Sequence, residues 1–282
     1  MTKNLRVKSS EYIDETNRIS FKFNGKTYHG FKGDTLASAL LANDVHLVGR
    51  SFKYHRPRGI MTSGSEEPNA IVQVNPGTNR TEPNVRATEV EIYEGLEASS
   101  QNCWPSVEFD IGGINNFLSP FFPAGFYYKT FMWPASFWEK YEFFIRHSAG
   151  LGKSPTSSDP DIYDHRNIHC DVLVVGAGIS GILAAKNAAK NNFKTLLVDE
   201  KNELGGSTVY ENNEFNKIDN KTPSEWLKKE IEELKNIKNL EIKTRTSVAA
   251  YHQYNYLLAR ENLTDHLETK DKTNKIRQRL LK

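Results

Sequence analysis

The sequence predicts two domains of different class, an α+β domain followed by an α/β domain. Three observations support this prediction: a strand-turn-strand pattern near the start, a glycine-rich turn between a strand and a helix in the second half, and an aromatic stretch between them. A chain of 282 residues is long enough to form two domains, each with its own buried core.

The first domain, over residues 1–98, begins with a predicted β-hairpin. The segments "RISFKF" and "KTYHGF" both alternate between polar and apolar residues, and Asn24-Gly25 between them is a strong turn signal. A helix is predicted over "GDTLASALLANDV", with Asp34 as its cap. Two more strands are predicted over "NAIVQVN" and "ATEVEIYEG". This order suits a ferredoxin-like β-grasp domain.

Residues 99–168 are predicted to form a connector and a linker. The stretch "FLSPFFPAGFYYKTFMWPASFWEKYEFFIRHSAG" is rich in aromatic residues, and only its last part, Phe137 to His147, has a helical pattern that ends at Gly150. Because aromatic rings bury large areas, we interpret them as core and interdomain packing. A cofactor-stacking surface and a surface that docks another subunit remain as alternatives. The composition of "GKSPTSSDPD" is typical of a linker.

The third segment, over residues 169–282, has the pattern of an α/β domain. The strands "CDVLVVG" and "FKTLLVDE" flank the helix "ISGILAAKNAAKNN", and a capping box from Thr222 to Glu225 starts the helix "WLKKEIEELKN". Further strands are predicted over "LEIKTRT" and "YNYLLARENL", and the charged end from "HLETKDKTNK" onward is predicted to be a solvated turn. We find no strand ending in an "ATG"-like turn, so we expect a partial, truncated Rossmann-like FAD/NAD(P)-binding domain.

A glycine motif lies between the first strand and the first helix of this segment. Gly176, Gly178 and Gly181 form G-x-G-x-x-G, in which the glycines allow a tight turn, close approach of a pyrophosphate, and close packing of the helix on the sheet. The helix N-terminus would bind the phosphates through its free N–H groups and dipole. The flanking strand and helix, with Asp199 about 20 residues on, give the motif the context of a dinucleotide site.

The acidic residue at the end of the second strand defines the preferred nucleotide. Asp199 can accept hydrogen bonds from ribose hydroxyls but would repel a 2′-phosphate, so NADP is disfavoured. Glu200 could share this role, and "NELGGST" adds a second glycine turn that is frequent in two-dinucleotide flavoproteins. The predicted cofactor-binding residues of this domain are Gly176, Ala177, Gly178, Ser180, Gly181, Asp199, Glu200, Gly205 and Gly206. The alternative is a glycine turn that binds nothing.

The loop "GRSFKYHRPRG", from Gly49 to Gly59, is strongly basic. In plant-type ferredoxins the loop at this position supplies cysteines to a [2Fe–2S] cluster, but this chain has none between Leu41 and Ile71, so we expect a domain without Fe–S cysteines. The loop could be a solvated surface, a nucleic-acid site, or an anchor for a cofactor phosphate or for carboxylates of another domain or subunit. We favour the anchor, because Arg56 and Arg58 can make forked contacts, and we include both among the cofactor-binding residues.

The composition of the chain limits its possible binding partners and its location in the cell. With 37 basic and 35 acidic residues, the chain gives no global reason to expect a nucleic-acid or membrane partner. We find no secretory signal and no apolar run that could span a bilayer, which predicts a cytoplasmic protein.

Cys103 and Cys170 are expected to be reduced, and Cys103 lacks an activating base. His165 and His169 have a metal-like spacing but lie at the entry of a strand, so we predict no metal site and assign no catalytic residue.

Several of these segments resemble one family. "GDTLASALLAND", "RSFKYHRPRG", "SEEPNAIVQV" and "HCDVLVVGAGISG" with "LLVDEKNELGGS" are similar to the N-terminal portion of the α subunit of heterotetrameric sarcosine oxidase, and "FKYHRPRG" is the most specific match. The resemblance implies an oxidoreductase complex that demethylates sarcosine to glycine, passing the one-carbon unit to tetrahydrofolate or releasing it as formaldehyde. It implies NAD at the glycine motif, with FAD as the alternative there, FAD and FMN elsewhere in the assembly, and β, γ and δ subunits as partners.

The family's α subunit is longer and has a C-terminal folate-binding domain that this chain lacks. We therefore expect the chain to be a fragment that is inactive alone. Two other functions remain open: a subunit of an FAD-dependent amine or opine oxidoreductase with FAD at Gly176, and a non-catalytic module that binds nucleotide or bridges subunits.

Overall fold

The computed structural model describes residues 5–6, 13–121, 125, 131, 133–209, 216–268, 272 and 275–282. The chain divides into two compact units, Met1–Pro160 and Asp161–Lys282, which we call unit 1 and unit 2. Across the described ranges, no helix is long and apolar enough to cross a membrane.

Unit 1 is built around a mixed sheet. Its strands are β1 (Asp14–Phe23), β2 (Lys26–Lys32), β3 (Gly49–Arg50), β4 (Pro57–Arg58), β5 (Ile71–Val74), β6 (Glu82–Arg86) and β7 (Glu97–Ser100). Its helices are α1 (Leu36–Ala42), α2 (Ile114–Phe117) and α3 (Trp138–Ala149), with 3₁₀ turns at Ile111–Gly113, Ser119–Phe121 and Ala135–Phe137. The five-stranded sheet has the order β2-β1-β7-β5-β6, in which β1 and β7 are parallel and the other pairs antiparallel. This is the arrangement expected of a β-grasp domain.

The predicted hairpin and the predicted aromatic helix are both present. Asn24 and Gly25 have φ values of 50° and 76°, as a two-residue turn of the primed type requires. The helix α3 ends at Gly150 in the left-handed conformation, as predicted. Of the aromatic stretch, residues 122–124, 126–130 and 132 lie outside the described residues.

The predicted cap of α1 is wrong by one residue. Thr35 is the N-cap, and its hydroxyl accepts a hydrogen bond from the Ser38 backbone N–H at 3.1 Å. Asp34 instead forms a buried ion pair with Arg6, at 2.5 Å. The sequence around the helix gives no sign of this partner, which lies 28 residues away.

The strand predicted over "ATEVEIYEG", residues 87–95, is also wrong. These residues form turns, and the strands of this region are β6 before them and β7 after them. The segment crosses the start of α1: Leu36 donates its N–H to the Val90 carbonyl at 2.7 Å, and Ile92 donates to the Asp34 carbonyl at 3.0 Å. Its apolar residues Ala87, Ile92 and Tyr93 are buried in the core without belonging to a strand.

The described residues of unit 2 form two sheets. Its strands are β8 (Ile162–Arg166), β9 (Val172–Val175), β10 (Thr195–Val198), β11 (Leu240–Lys243), β12 (Thr246–His252), β13 (Tyr256–Asn262) and β14 (Ile276–Leu281). Its helices are α4 (Ile179–Lys190) and α5 (Pro223–Lys235), with 3₁₀ turns at Gly206–Val209 and Gln253–Asn255. The strands β11-β10-β9 form a parallel sheet, and β9, α4 and β10 make the βαβ unit on which the Rossmann-like prediction depends. The second sheet has the order β12-β13-β14-β8.

The capping box of α5 is present as predicted, whereas the prediction of a solvated turn at the charged end is wrong. Thr222 and Glu225 exchange the two hydrogen bonds of the box. Residues 276–281 of this end form β14, in which Arg279 bonds Asp164 at 2.9 Å and Glu261 at 3.1 Å, whereas residues 269–271, 273 and 274 lie outside the described residues. The charged residues did not indicate a strand, because the partners of Arg279 lie on other strands of the same sheet.

Candidate dinucleotide site and the basic loop

A tight glycine turn joins β9 to α4. Gly176 has φ +93°, a conformation that favours glycine, and its N–H donates to the Val198 carbonyl at 2.8 Å. Gly178 is the N-cap of α4 and has no side chain with which to occupy the first N–H groups of the helix. These groups are therefore available to an anion.

The other two glycines of the motif have different surroundings. A Cβ atom at Gly181 would overlap the Gly176 carbonyl oxygen, so the third glycine is required for α4 to start against the turn. A Cβ atom at Gly178 would meet nothing within 4 Å. The turn thus has a packed side and an open side, and the open side is a cradle that a diphosphate could fill.

The acidic residues lie next to this turn. Asp199 follows β10, is only 8% exposed, and accepts hydrogen bonds from the Ala177 N–H at 2.6 Å and the Lys201 N–H at 2.8 Å. A carboxylate has about four lone-pair sites, so Asp199 retains the capacity to accept from a ligand. Glu200 is exposed, and so is Ser180 in the first turn of α4.

The second glycine turn lies against the first. Gly205 donates its N–H to the Ala177 carbonyl at 2.8 Å, and a Cβ atom at Gly206 would lie 3.0 Å from the Gly178 Cα. Gly205 has φ +124°, and a Cβ atom there would overlap the side chain of Leu227 on α5. The two glycine segments, both singled out from the sequence, are therefore parts of one structure.

Sequence reasoning missed Thr208, which follows the second glycine turn. Its side chain is buried, and its hydroxyl has no hydrogen-bond partner within the described part of the chain. The backbone N–H of Thr208 donates to the Gly205 carbonyl at 3.1 Å, so the residue belongs to the same turn. A threonine after two glycines is not by itself a recognisable signal, which is why the sequence did not point to it.

The basic loop of unit 1 is fixed by a buried histidine. His55 has φ +52°, its Nδ1 lies 2.7 Å from Asp110 Oδ2, and its Nε2 lies 3.0 Å from the Ser148 carbonyl oxygen. Each ring nitrogen therefore has an oxygen within hydrogen-bonding distance. His55 thereby joins the loop to the segment before α2 and to the last turn of α3.

The arginines of the loop differ in their engagement. The Arg50 guanidinium donates to the backbone carbonyls of His55, Val107 and Glu108. Arg56 donates to Asn116 Oδ1 at 2.7 Å and lies 4.7 Å from the centroid of the Tyr54 ring. The exposed Arg58 borders a cavity of about 150 Å³, whose other lining residues are Arg50, Ser51, Phe52, Pro68, Asn69, Ile71, Gln101 and Asn102. Arg56 and Arg58 lie in unit 1, whereas the other predicted cofactor-binding residues lie in unit 2.

Comparison with known proteins finds a matching domain family in each unit. Residues 16–103 match the model of the 2Fe-2S iron-sulfur cluster binding domain, and residues 171–271 match that of FAD dependent oxidoreductases. The sarcosine oxidase subunit alpha of Rhizobium meliloti (strain 1021) is 49% identical over 93% of this chain and 26% of its own length. That of Corynebacterium sp. (strain U-96) is 31% identical over 91% of this chain and 22% of its own length.

The chain therefore spans about a quarter of the length of the curated relatives it matches. Among solved structures, the L-proline dehydrogenase from P. horikoshii has a TM-score of 0.54 at 16% identity, covering 97% of this chain and 41% of that chain. At this identity the likeness concerns the fold alone. The resemblance to sarcosine oxidase α subunits that the sequence indicated is confirmed.

The matched domain models imply two cofactors, and the residues fit only one of them. A [2Fe–2S] cluster needs four thiolates, but Cys103 is the only cysteine between residues 16 and 103. Burial and the nearby Asp110 carboxylate raise the pKa of Cys103 to about 11, which disfavours its thiolate. Among the described residues, no group of three or more His, Cys, Asp or Glu side chains could bind a metal ion. The cluster does not fit unit 1, whereas the glycine cradle of unit 2 fits a dinucleotide diphosphate.

Proposed function

We propose that this chain, a homologue of the sarcosine oxidase α subunits, forms the dinucleotide-binding part of an oxidoreductase subunit. The observation that supports this most strongly is the open side of the glycine turn at Gly178, with the Asp199 carboxylate beside it. The turn lies within the residues that match FAD dependent oxidoreductases.

In this proposal the chain binds the ADP half of the dinucleotide. The N–H groups at the start of α4 bind the diphosphate, and Asp199 accepts hydrogen bonds from the ribose hydroxyls. Glu200 and Ser180 lie at the exposed margin of the site. Because Gly205 and Gly206 lack side chains, the second glycine turn packs directly against the backbone of Ala177 and Gly178. A 2′-phosphate would meet the Asp199 carboxylate, so NADP is disfavoured.

Only the similarity to known proteins indicates which group forms the other half of the dinucleotide. The resemblance to sarcosine oxidase α subunits favours NAD at this motif, with FAD and FMN bound elsewhere in the assembly. The match to FAD dependent oxidoreductases favours FAD, which is the second candidate. Either ligand supplies hydride-transfer chemistry when bound, and the residues described above contact only the ADP half that the two share.

We propose sarcosine as the substrate of the whole enzyme, with β, γ and δ subunits as partners in the cytoplasm. The amine is oxidised and demethylated to glycine, and the one-carbon unit passes to tetrahydrofolate or leaves as formaldehyde, with oxygen as the acceptor. An FAD-dependent oxidoreductase of another amine or of an opine, with FAD at Gly176, is the alternative. A non-catalytic module that binds nucleotide is the remaining candidate function.

The test uses the full-length subunit purified together with its partner subunits. Nucleotides released by denaturation are identified by mass spectrometry, and peroxide formation is measured with sarcosine and with proline. We expect NAD in the extract and sarcosine-dependent peroxide. An extract that contains FAD but no NAD, together with turnover of proline but not of sarcosine, would replace the leading proposal by the alternative enzyme. Unchanged turnover of the partner subunits without this chain would favour the non-catalytic module.

A further inference from the structure

The cavity beside the basic loop, with a volume of about 150 Å³, has an unusual balance of charge. All of its lining residues belong to unit 1, and they include two arginines but no aspartate or glutamate. A concave site that is lined by charges of one sign concentrates ions of the opposite sign. The lining of this cavity therefore favours an anion.

Arg58 is an arginine of the cavity whose side chain is not engaged. Its backbone pairs with that of Gly49 between β4 and β3, but its guanidinium makes no hydrogen bond or ion pair with any residue that the structure describes. A guanidinium has five N–H donors in a planar fork that matches the two oxygens of a carboxylate. These donors are available to a ligand.

The charge of Arg50, the second arginine of the cavity, is not neutralised by a carboxylate. Its guanidinium donates to three backbone carbonyls, and no carboxylate of the described chain forms an ion pair with it. The guanidinium groups of Arg6, Arg277 and Arg279, by contrast, are each paired with a carboxylate. Because charges that are removed from water are usually paired, the half-buried Arg50 adds to the anion preference of the cavity.

Three carboxylates lie close in sequence to the lining residues, but they do not line the cavity. The buried Glu67 binds four backbone N–H groups. Glu66 lies against Gly64, and Glu108 lies 3.7 Å from the Lys26 ammonium group. These carboxylates therefore leave the two arginines without a counter-charge inside the cavity.

Uncharged donors complete the polar side of the cavity. The Asn69 side chain lines it and makes no hydrogen bond within the described ranges. The Ser51 hydroxyl accepts a hydrogen bond from the Arg56 N–H at 3.0 Å, so its own proton can be donated elsewhere. The buried Asn102 side chain binds both the N–H and the carbonyl of Arg50, which fixes this part of the wall.

The rest of the lining is apolar and limits what the anion can be. Phe52, Pro68 and Ile71 form this side of the cavity. Cavities of this volume accommodate a molecule of about the size of benzene, whereas pockets for larger ligands have volumes of about 300 Å³ or more. An inorganic anion would make no use of the apolar side. A short organic acid would use both sides.

We propose that this cavity binds a small organic carboxylate with about two to four carbon atoms. The carboxylate would accept hydrogen bonds from the Arg58 guanidinium and the Asn69 amide, and the alkyl part would lie against Phe52 and Pro68. The site lies within unit 1 and does not depend on the proposed dinucleotide site, whose residues lie in unit 2.

The test measures how fast phenylglyoxal modifies single arginines in the full-length subunit, purified with its partners, with propionate as the ligand. Peptide mass spectrometry gives the rate at each arginine. Propionate at about ten times its dissociation constant should slow the modification of Arg58 by about tenfold. Arg18, which is exposed on β1 and does not line the cavity, is the control in the same sample and should react at an unchanged rate. Sodium chloride at the same ionic strength should protect neither arginine.

A variant tests the second predicted donor. Asn69→Ala should raise the propionate concentration for half-maximal protection of Arg58 by about fivefold or more, because one hydrogen bond to the carboxylate is lost. The melting temperature should not fall, since the Asn69 side chain makes no hydrogen bond to a described residue. The exposed Asn17→Ala on β1 is the matched control and should leave the protection unchanged.

Three results would overturn the proposal. The first is an Arg58 that propionate does not protect. The second is equal protection by inorganic phosphate, which would make the site one for inorganic anions. The third is an Arg58 that is unreactive in the assembled enzyme without propionate, because another polypeptide segment would then occupy the cavity. NAD content measured in the same samples separates the two proposals: a sample without NAD contradicts the dinucleotide site alone.

Discussion

Two loops of this chain lie in regions that match cofactor-binding domains, and they differ in what the structure lets them bind. The glycine turn of unit 2 presents backbone N–H groups and an open side at Gly178. The basic loop of unit 1 follows the helix of a cluster-binding scaffold but lacks the cysteines. A matched domain model therefore indicates the scaffold, and the residues at the site decide whether its cofactor can bind.

The loops also differ in how their side chains are used. The glycine turn is suited to bind a ligand because it has no side chains at the places where the ligand and α4 must come close to its backbone. In the basic loop, Arg50 and His55 direct their hydrogen bonds to backbone carbonyls and to a buried carboxylate. The charges that suggested an anion site in the sequence are to a large extent committed to holding unit 1 together.

The largest expected effect is at Gly181. Replacement by valine forces an overlap with the Gly176 carbonyl, so we expect a loss of about 3 kcal/mol or more in unfolding free energy, with loss of nucleotide. Gly178→Ala is the matched control, because its Cβ meets nothing within 4 Å and should change stability by less than about 1 kcal/mol. Denaturant unfolding measures both. Equal stability of the two variants would contradict the packed and open sides of the turn.

In unit 1 the corresponding change is His55→Ala. It removes the side-chain partner of the buried Asp110 carboxylate, which keeps the backbone N–H groups of Trp104 and Gly112, and it should cost about 2–4 kcal/mol of unfolding free energy without altering nucleotide content. The control is His46→Ala, whose pair with Asp44 is exposed and should contribute less than about 1 kcal/mol. Thermal or denaturant unfolding with nucleotide analysis checks this. A parallel loss of nucleotide would show that the two loops are not independent.

A smaller effect is expected at Glu67, which lies buried near the basic loop. Its carboxylate accepts four backbone N–H groups, those of Met61, Thr62, Asn69 and Ala70. Burial alone would raise the pKa of Glu67, but these four bonds outweigh it and lower the pKa. The stabilisation is therefore complete above the unfolded pKa of about 4.3 and is lost as the pH falls through the lower folded value.

The variant Glu67→Gln should cost about 1–3 kcal/mol at neutral pH, because an amide cannot satisfy the same four donors. The difference from the wild type should shrink as the pH falls below about 4. Melting curves across this pH range test the expectation, with the exposed Glu66→Gln as control. A difference that is constant with pH would rule out the ionised carboxylate as the cause.

The smallest effect is expected at Cys103. With a pKa of about 11, set by burial and by Asp110, its thiol should react slowly with alkylating reagents in the folded protein. Cys103→Ser should change stability by no more than about 0.5 kcal/mol. Incubation with iron and sulfide should give no spectrum of an iron–sulfur cluster. A cluster bound to unit 1 would contradict the conclusion that the basic loop and its surroundings cannot bind one.

The sequence predicted those elements whose signals are local. The turn at Asn24-Gly25, the capping box from Thr222 and the glycine turn at Gly176 each depend on residues within a few positions of one another. The errors have a common cause in distant contacts: Asp34 pairs with Arg6, and Arg279 in β14 pairs with Asp164. A single sequence contains no record of such partners.

The same distinction applies to the candidate site. The glycines and Asp199 could be identified from spacing, but the contact of Gly205 with Ala177 appears only in the structure. For the basic loop, the sequence indicated the cations correctly, whereas Asp110, the partner of His55, lies 55 residues further on.

The most direct test is the nucleotide content of the full-length subunit, purified with its partners, as wild type and as Gly178→Val. Residue 178 has ordinary backbone angles and open space at its Cβ, so valine can fill the cradle without overlapping its neighbours. We predict NAD equimolar with the wild-type subunit and a reduction of NAD by about tenfold or more in the variant, whereas the FAD held elsewhere in the assembly should not change. A variant whose NAD and FAD contents both equal those of the wild type would contradict the account.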